Sequence, residues 1–168
     1  MAILRKWVEQ ISRRQVLRRR LPADLGGATI WVTPDAALRF LRPNLDAVDP
    51  MLFRAARDLV RAGDVVWDVG ANVGLFTFAA AARAERDGLV LAVEADTWLV
   101  DLLRRSARSQ PPGSSPVVVL PVAVSNKVDV AEFEIASRGR CPNHLAGLGG
   151  SQTGGTREHQ HVVSVTCT

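Results

Sequence analysis

Asp64 to Thr77 reads DVVWDVGANVGLFT. Val65, Val66, Trp67 and Val69 are β-branched or aromatic, the composition of a buried strand. Gly70-Ala71-Asn72-Val73-Gly74 then turns the chain, and the Ala-rich run from Leu75 to Arg86 reads as a helix. Strand, glycine turn and helix in this order aim the free N–H groups of a helix N-terminus at whatever occupies the turn. Glycine at 70 and 74 removes side chains where a ligand or a packed helix must come close. Asn72 is among the non-glycine residues that best tolerate a left-handed conformation.

About twenty residues on, a second apolar run, Leu89-Val90-Leu91-Ala92-Val93, ends in Glu94. A carboxylate at the end of the second strand is where a nucleotide-type fold grips ribose hydroxyls. The turn and the acid together predict a βαβ unit holding an adenosine-containing ligand. The alternative is a tight turn without a ligand and a solvated acid at a strand end. A dinucleotide fingerprint, G-x-G-x-x-G, would need glycine where Asn72 and Leu75 stand, which counts against a nicotinamide cofactor. Asp68, two residues before Gly70, is placed to face an ammonium group.

With Asp68 included, this pattern looks like the first motif of class I methyltransferases, which bind S-adenosylmethionine (SAM). The run D-V-G-A-N-V-G-L-F-T resembles more narrowly the FkbM-type methyltransferase family, over about residues 25–168. The resemblance implies a Rossmann-like α/β fold with a doubly wound parallel sheet, and O-methylation of a small-molecule or glycan hydroxyl. It implies that Gly70, Ala71, Asn72 and Gly74 hold the methionine part of SAM, that Asp68 approaches its ammonium, and that Glu94 takes the ribose hydroxyls. Val122 and Ala123, where the third strand ends, become candidate adenine neighbours, with plain core packing as the alternative. The family's K-x-D-x-E-G-x-E segment has no counterpart here. The expected domain is therefore truncated after its third core strand, with catalytic residues unassigned. Strand 65–69 is expected to expose an unpaired edge.

The 168 residues are one domain's worth of chain, and 47% hydrophobic content is ample for a core. Only 5% of residues are aromatic, so stacking surfaces for single-stranded nucleic acid are scarce. The net charge of +4 is unevenly placed. Residues 1–20 hold seven basic residues against Glu9 alone, a net +6; the remainder, 14 basic against 16 acidic, is −2. Leu4, Trp7, Val8 and Ile11 fall on one face of a helix. Residues 1–24 thus read as a basic amphipathic helical arm, and 25–168 as the partial methyltransferase domain. The arm's stripe is expected to pack on its own domain; contact with nucleic acid or an anionic membrane is the alternative. No apolar run reaches membrane-spanning length, arginines interrupt where a signal peptide's apolar region would lie, and Cys141 and Cys167 make no disulfide framework. These point to a reducing, cytoplasmic setting.

Elsewhere the pattern is plainer. Thr29–Thr33 and Ala37–Leu41 read as two short strands around the turn residues Pro34-Asp35. Asp49-Pro50 caps a helix whose inward stripe is Leu52, Ala56, Leu59 and Val60. Asp96 caps another helix to about Arg108. Pro116–Ser125 reads as a third core strand limited by Pro116 and Pro121. Val128–Ile135 alternates as a half-wet strand, and 161–168 returns to strand character. Ala136–Thr156 is Gly-rich and reads as a mobile loop. His144, His159 and His161 are not spaced as a metal site, so no metal is expected. Two functions fit: a SAM-dependent methyltransferase, or a non-catalytic fragment that binds through its basic arm.

Overall fold

A computed structural model describes residues 11–13, 15–136, 143–146 and 155–166. Strand β1 (Leu17–Arg20) pairs antiparallel with β2 (Thr29–Val32) in the register Leu17↔Val32 to Arg20↔Thr29. This corrects two expectations. Residues 17–20 are strand, not the end of a helical arm; Leu4, Trp7 and Val8 lie outside the described residues. The partner of 29–32 is also not 37–41, because Leu38–Leu41 forms a turn of 3-10 helix. Pairing with β2 explains the first, and Arg19 the second. Its guanidinium donates to the carbonyls of Phe40 (3.2 Å), Leu41 (3.0 Å) and Arg42 (2.9 Å), satisfying the open end of that turn with a cation instead of a strand partner.

Helix α1 (Pro50–Leu59) starts on Asp49 and Pro50, as the cap residues predict. Its buried positions are Phe53 and Ala56, continued by Val60. Leu59, expected inside, is 73% exposed and Leu52 only half-buried, so the inward face is rotated from the predicted one. Phe53 carries more apolar area than Leu52, and the 53/56/60 spacing fits a helical period as well as the predicted stripe does.

The central sheet is parallel, in the order β3 (Val65–Val69), β4 (Leu89–Val93), β5 (Val117–Leu120). Helix α2 (Leu75–Ala84) links β3 to β4, and α3 (Thr97–Ala107) links β4 to β5. Asp96 caps α3 as predicted, accepting from the Trp98 N–H at 3.0 Å. Ala80, Ala81 and Ala84 of α2 pack on Val90, with Val66 and Val117 beside them. The small alanines let the helix lie close to the sheet. N-terminal residues Leu25, Ile30, Val32, Phe40 and Leu45 join Phe53, Phe78, Leu99 and Leu103 in the main core, so the hairpin caps the helical side of the sheet.

The opposite face of β3 is open. Val65, Trp67 and Val69 are 63%, 57% and 55% exposed, although their composition predicts burial. The layers supply the reason: α2, α3 and the N-terminal core residues all pack on the other face, and β3 is also the end strand of the sheet, with no strand beyond it among the described residues.

The apolar run 117–124 is also not one strand. Pro121, which has no N–H to give, hands the chain from β5 to β6 (Val122–Val124) in a second sheet. That sheet has the order β6-β9-β7-β8, with β7 (Asp129–Ala136), β8 (His144–Leu145) and β9 (Thr156–Val165). β6 runs parallel to β9, and β7 pairs antiparallel with both β9 and β8. The last strand thus begins at Thr156, earlier than position 161. His144–Leu145 is strand within the expected loop, most of which lies outside the described residues. Arg157 of β9 forks onto Asp35, Nη1 donating at 2.9 Å and Nη2 at 2.5 Å, and ties the second sheet to the N-terminal region.

Candidate functional site

The turn after β3 is locked onto the end of β4. Gly70 and Ala71 both donate their N–H groups to the Val93 carbonyl, at 2.9 and 3.0 Å. Asn72 sits at φ 53° between Gly70 (φ 81°) and Gly74 (φ 87°). Its side-chain oxygen accepts the Val73 N–H at 2.8 Å, the local bond that lets asparagine hold this conformation.

The two glycines do different work. A Cβ on Gly74 would lie 2.5 Å from Phe78 and 2.7 Å from Leu103, so Gly74 is required by helix packing. A Cβ on Gly70 would meet nothing within 4 Å, so Gly70 keeps open space above the turn. Ala71 is buried against the main core.

Glu94 is 8% exposed, which excludes a solvated strand end. One carboxylate oxygen accepts the Asn72 N–H at 2.8 Å and the other the Asp96 N–H at 2.9 Å. The side chain thus bridges the turn and the start of α3. Burial raises its pKa above the ordinary value, opposed by the N–H groups of Asp96 and Asn72, while the nearby Asp96 charge raises it further.

Asp68, on the helix-facing side of β3, accepts the Thr77 hydroxyl at 2.5 Å. Burial raises its pKa, opposed by the Thr77 hydroxyl and the Thr77 N–H. Because Gly74 has no side chain with which to cap α2, Asp68 serves as that helix's acceptor from the neighbouring strand. Sequence spacing did not reveal this second task.

Two cavities meet over the turn, sharing Val69, Gly70 and Asn72. One, of about 350 Å³, is lined by Glu94, Ala123, Phe133, Asn143 and His144. The other, of about 300 Å³, is lined by Asp68, Arg39, Phe40, Leu52 and Phe76. Gly70, Asn72, Glu94 and Ala123 therefore come together as predicted, with Asp68 on the far side of the turn. Ala71 lines the second cavity with Asp68, and Gly74 lines neither.

Sequence reasoning missed Asn143 and Arg39. Asn143 accepts the Ala136 N–H and donates to Asp96, both at 3.0 Å, so it reaches the site through the α3 cap. It sits in a glycine-rich stretch with no periodicity to read. Arg39 sat in a segment read as strand. Among the described residues, no cluster of His, Cys, Asp or Glu is arranged to hold a metal ion, and no helix is long and apolar enough to cross a membrane.

No family model matches the chain, and no curated protein matches it. Among solved structures, the chain is similar to wild-type Trm5b from Pyrococcus abyssi, at 20% identity and a TM-score of 0.39. The match covers 59% of this chain and 28% of that one, so the chain spans well under half of that protein's length.

Proposed function

We propose that the chain is the SAM-binding part of a Rossmann-like, FkbM-type methyltransferase that acts on a hydroxyl of a small molecule or glycan. One observation carries the proposal: Glu94 and Asp68, at the carboxyl ends of adjacent parallel strands, line two cavities that meet over Gly70. The site lies outside the carboxyl ends of parallel strands, where ligands of open α/β sheets sit.

The residues fit an S-adenosyl group. Ribose offers two hydroxyl donors, and Glu94 offers carboxylate lone pairs left over from its two backbone bonds. The methionine ammonium needs an acceptor, and Asp68 stands in the adjoining cavity. Gly70 leaves open the space between them. Ala123, with Val122 and Phe133, gives the first cavity an apolar wall suited to adenine. When bound, SAM supplies a methyl group on a sulfonium, and its transfer is an in-line displacement. The protein's share is to bind, orient and exclude water.

Calorimetric titration of the chain with S-adenosylhomocysteine tests the reading. Saturable binding is expected, lost when Gly70 is replaced by Val, whose side chain would fill the open space. A cooperative melt without binding would overturn it.

A further inference from the structure

We infer that Arg39 is the residue that receives the α-carboxylate of the methionine moiety, making the Asp68 cavity a receptor for a zwitterion; this rests on the SAM reading above. The cavity of about 300 Å³ is lined by one cation, Arg39, and one anion, Asp68. Apart from Asn72, its other side chains, among them Leu52, Leu75 and Phe76, are apolar. An α-amino acid presents an ammonium and a carboxylate on one carbon, joined to an aliphatic chain. Opposite charges over an apolar floor complement that pattern, and neither charge alone would.

Arg39 is held in place without being used up. Its Nη1 pairs with Asp49 at 3.4 Å and donates to the Val48 carbonyl at 3.5 Å. The guanidinium lies 5.9 Å from the centre of the Phe40 ring. Among the described residues no partner takes Nε or Nη2, so one edge of the fork remains for an acceptor. A planar fork with a free edge matches carboxylate geometry in a way that lysine does not. The 3-10 turn that carries Arg39 is fixed in turn by Arg19, which holds the carbonyls of Phe40, Leu41 and Arg42. The N-terminal hairpin thereby positions a binding group.

The test compares S-adenosylhomocysteine with its analogue in which hydrogen replaces the α-carboxylate, each titrated into wild type and Arg39→Gln. Wild type is expected to prefer the carboxylate-bearing ligand by about tenfold to a hundredfold, the range of a charge-assisted hydrogen-bonded pair. Arg39→Gln should bind both ligands alike, at the wild-type affinity for the analogue. Arg39→Lys, which keeps the charge and the pairing with Asp49, should recover part of the preference and guards against a misfolded Gln variant. Full wild-type discrimination in folded Arg39→Gln would overturn the inference and leave the SAM site standing. Failure of wild type to bind either ligand would overturn both.

Discussion

Replacing Glu94 with Ala tests the site and its physics together. The substitution removes the acceptor from two backbone N–H groups, those of Asn72 and Asp96. A hydrogen bond to a charged group contributes about 1.5–3 kcal/mol. The full sum is not expected, because burial already disfavours the ionised carboxylate. Water in the adjoining cavity can also reach the Asn72 N–H. A loss of about 1–3 kcal/mol is the outcome, or a fall in Tm of about 2–12 °C for a chain of this size. The pH dependence fixes the sign. A carboxyl group whose folded pKa is raised stabilises the fold most below its ordinary value of 4.5, and that contribution is lost as pH rises through the raised value. The penalty of Glu94→Ala, read from urea melts, should therefore be larger at pH 5 than at pH 7.5. Affinity for S-adenosylhomocysteine should fall by about one to two decades. A penalty that grows with pH would refute the primacy of burial, and unchanged affinity would refute the assignment of Glu94 to the ligand.

The two glycines of the turn should separate cleanly. Gly74→Ala adds a clash with Phe78 and Leu103 to left-handed strain and should cost about 3 kcal/mol or more, while Gly70→Ala carries only the strain, about 1–2 kcal/mol. Equal costs by denaturant melts would contradict the packing role of Gly74. Arg157→Ala removes the arginine from Asp35, which is only 5% exposed; about 2–4 kcal/mol is expected, with faster hydrogen exchange in β7 and β9, and a loss under 1 kcal/mol would make the pair a surface contact. Trp67→Lys places a charge on the open face of the edge strand and should reduce self-association in sedimentation experiments, with Tm changed by no more than about 2 °C. A larger fall in Tm would mean that something covers Trp67.

The parts of this fold legible in the sequence are those fixed by near neighbours. The strand, turn and helix from Val65 to Ala84 follow from β-branched residues, two glycines and a run of alanines. The α3 cap follows from Asp96 alone. What escaped was decided at a distance. Arg18 and Arg20 mask β1 as part of a basic helix until β2 supplies its partner. Residues 38–41 look extended until Arg19 claims their carbonyls. Pro121 signals a break in pairing but not that the chain changes sheets there. In the site, Gly70, Asn72 and Glu94 could be read because each sits at a strand end with a recognisable neighbour. Arg39 and Asn143 could not, since they arrive from segments whose local pattern says nothing of the cavity they line.

Pro121 also sets an order of events in folding. β6 has three residues, and its register, Val122↔Val163 to Val124↔Val165, exists only once β9 has returned. β9 in turn is laid along β7, which it meets from Asp129↔Ser164 to Ala136↔Thr156. The parallel β3-α2-β4 unit closes short loops and can form early, whereas the pairing of β6 must wait for a long one. Ala123 is therefore among the last residues to reach its place. In a refolding experiment the helical signal should recover before ligand-binding competence does, and the lag between them should lengthen when the β7–β9 pairing is weakened. On this expectation the pocket is completed late, at the seam where the two sheets meet.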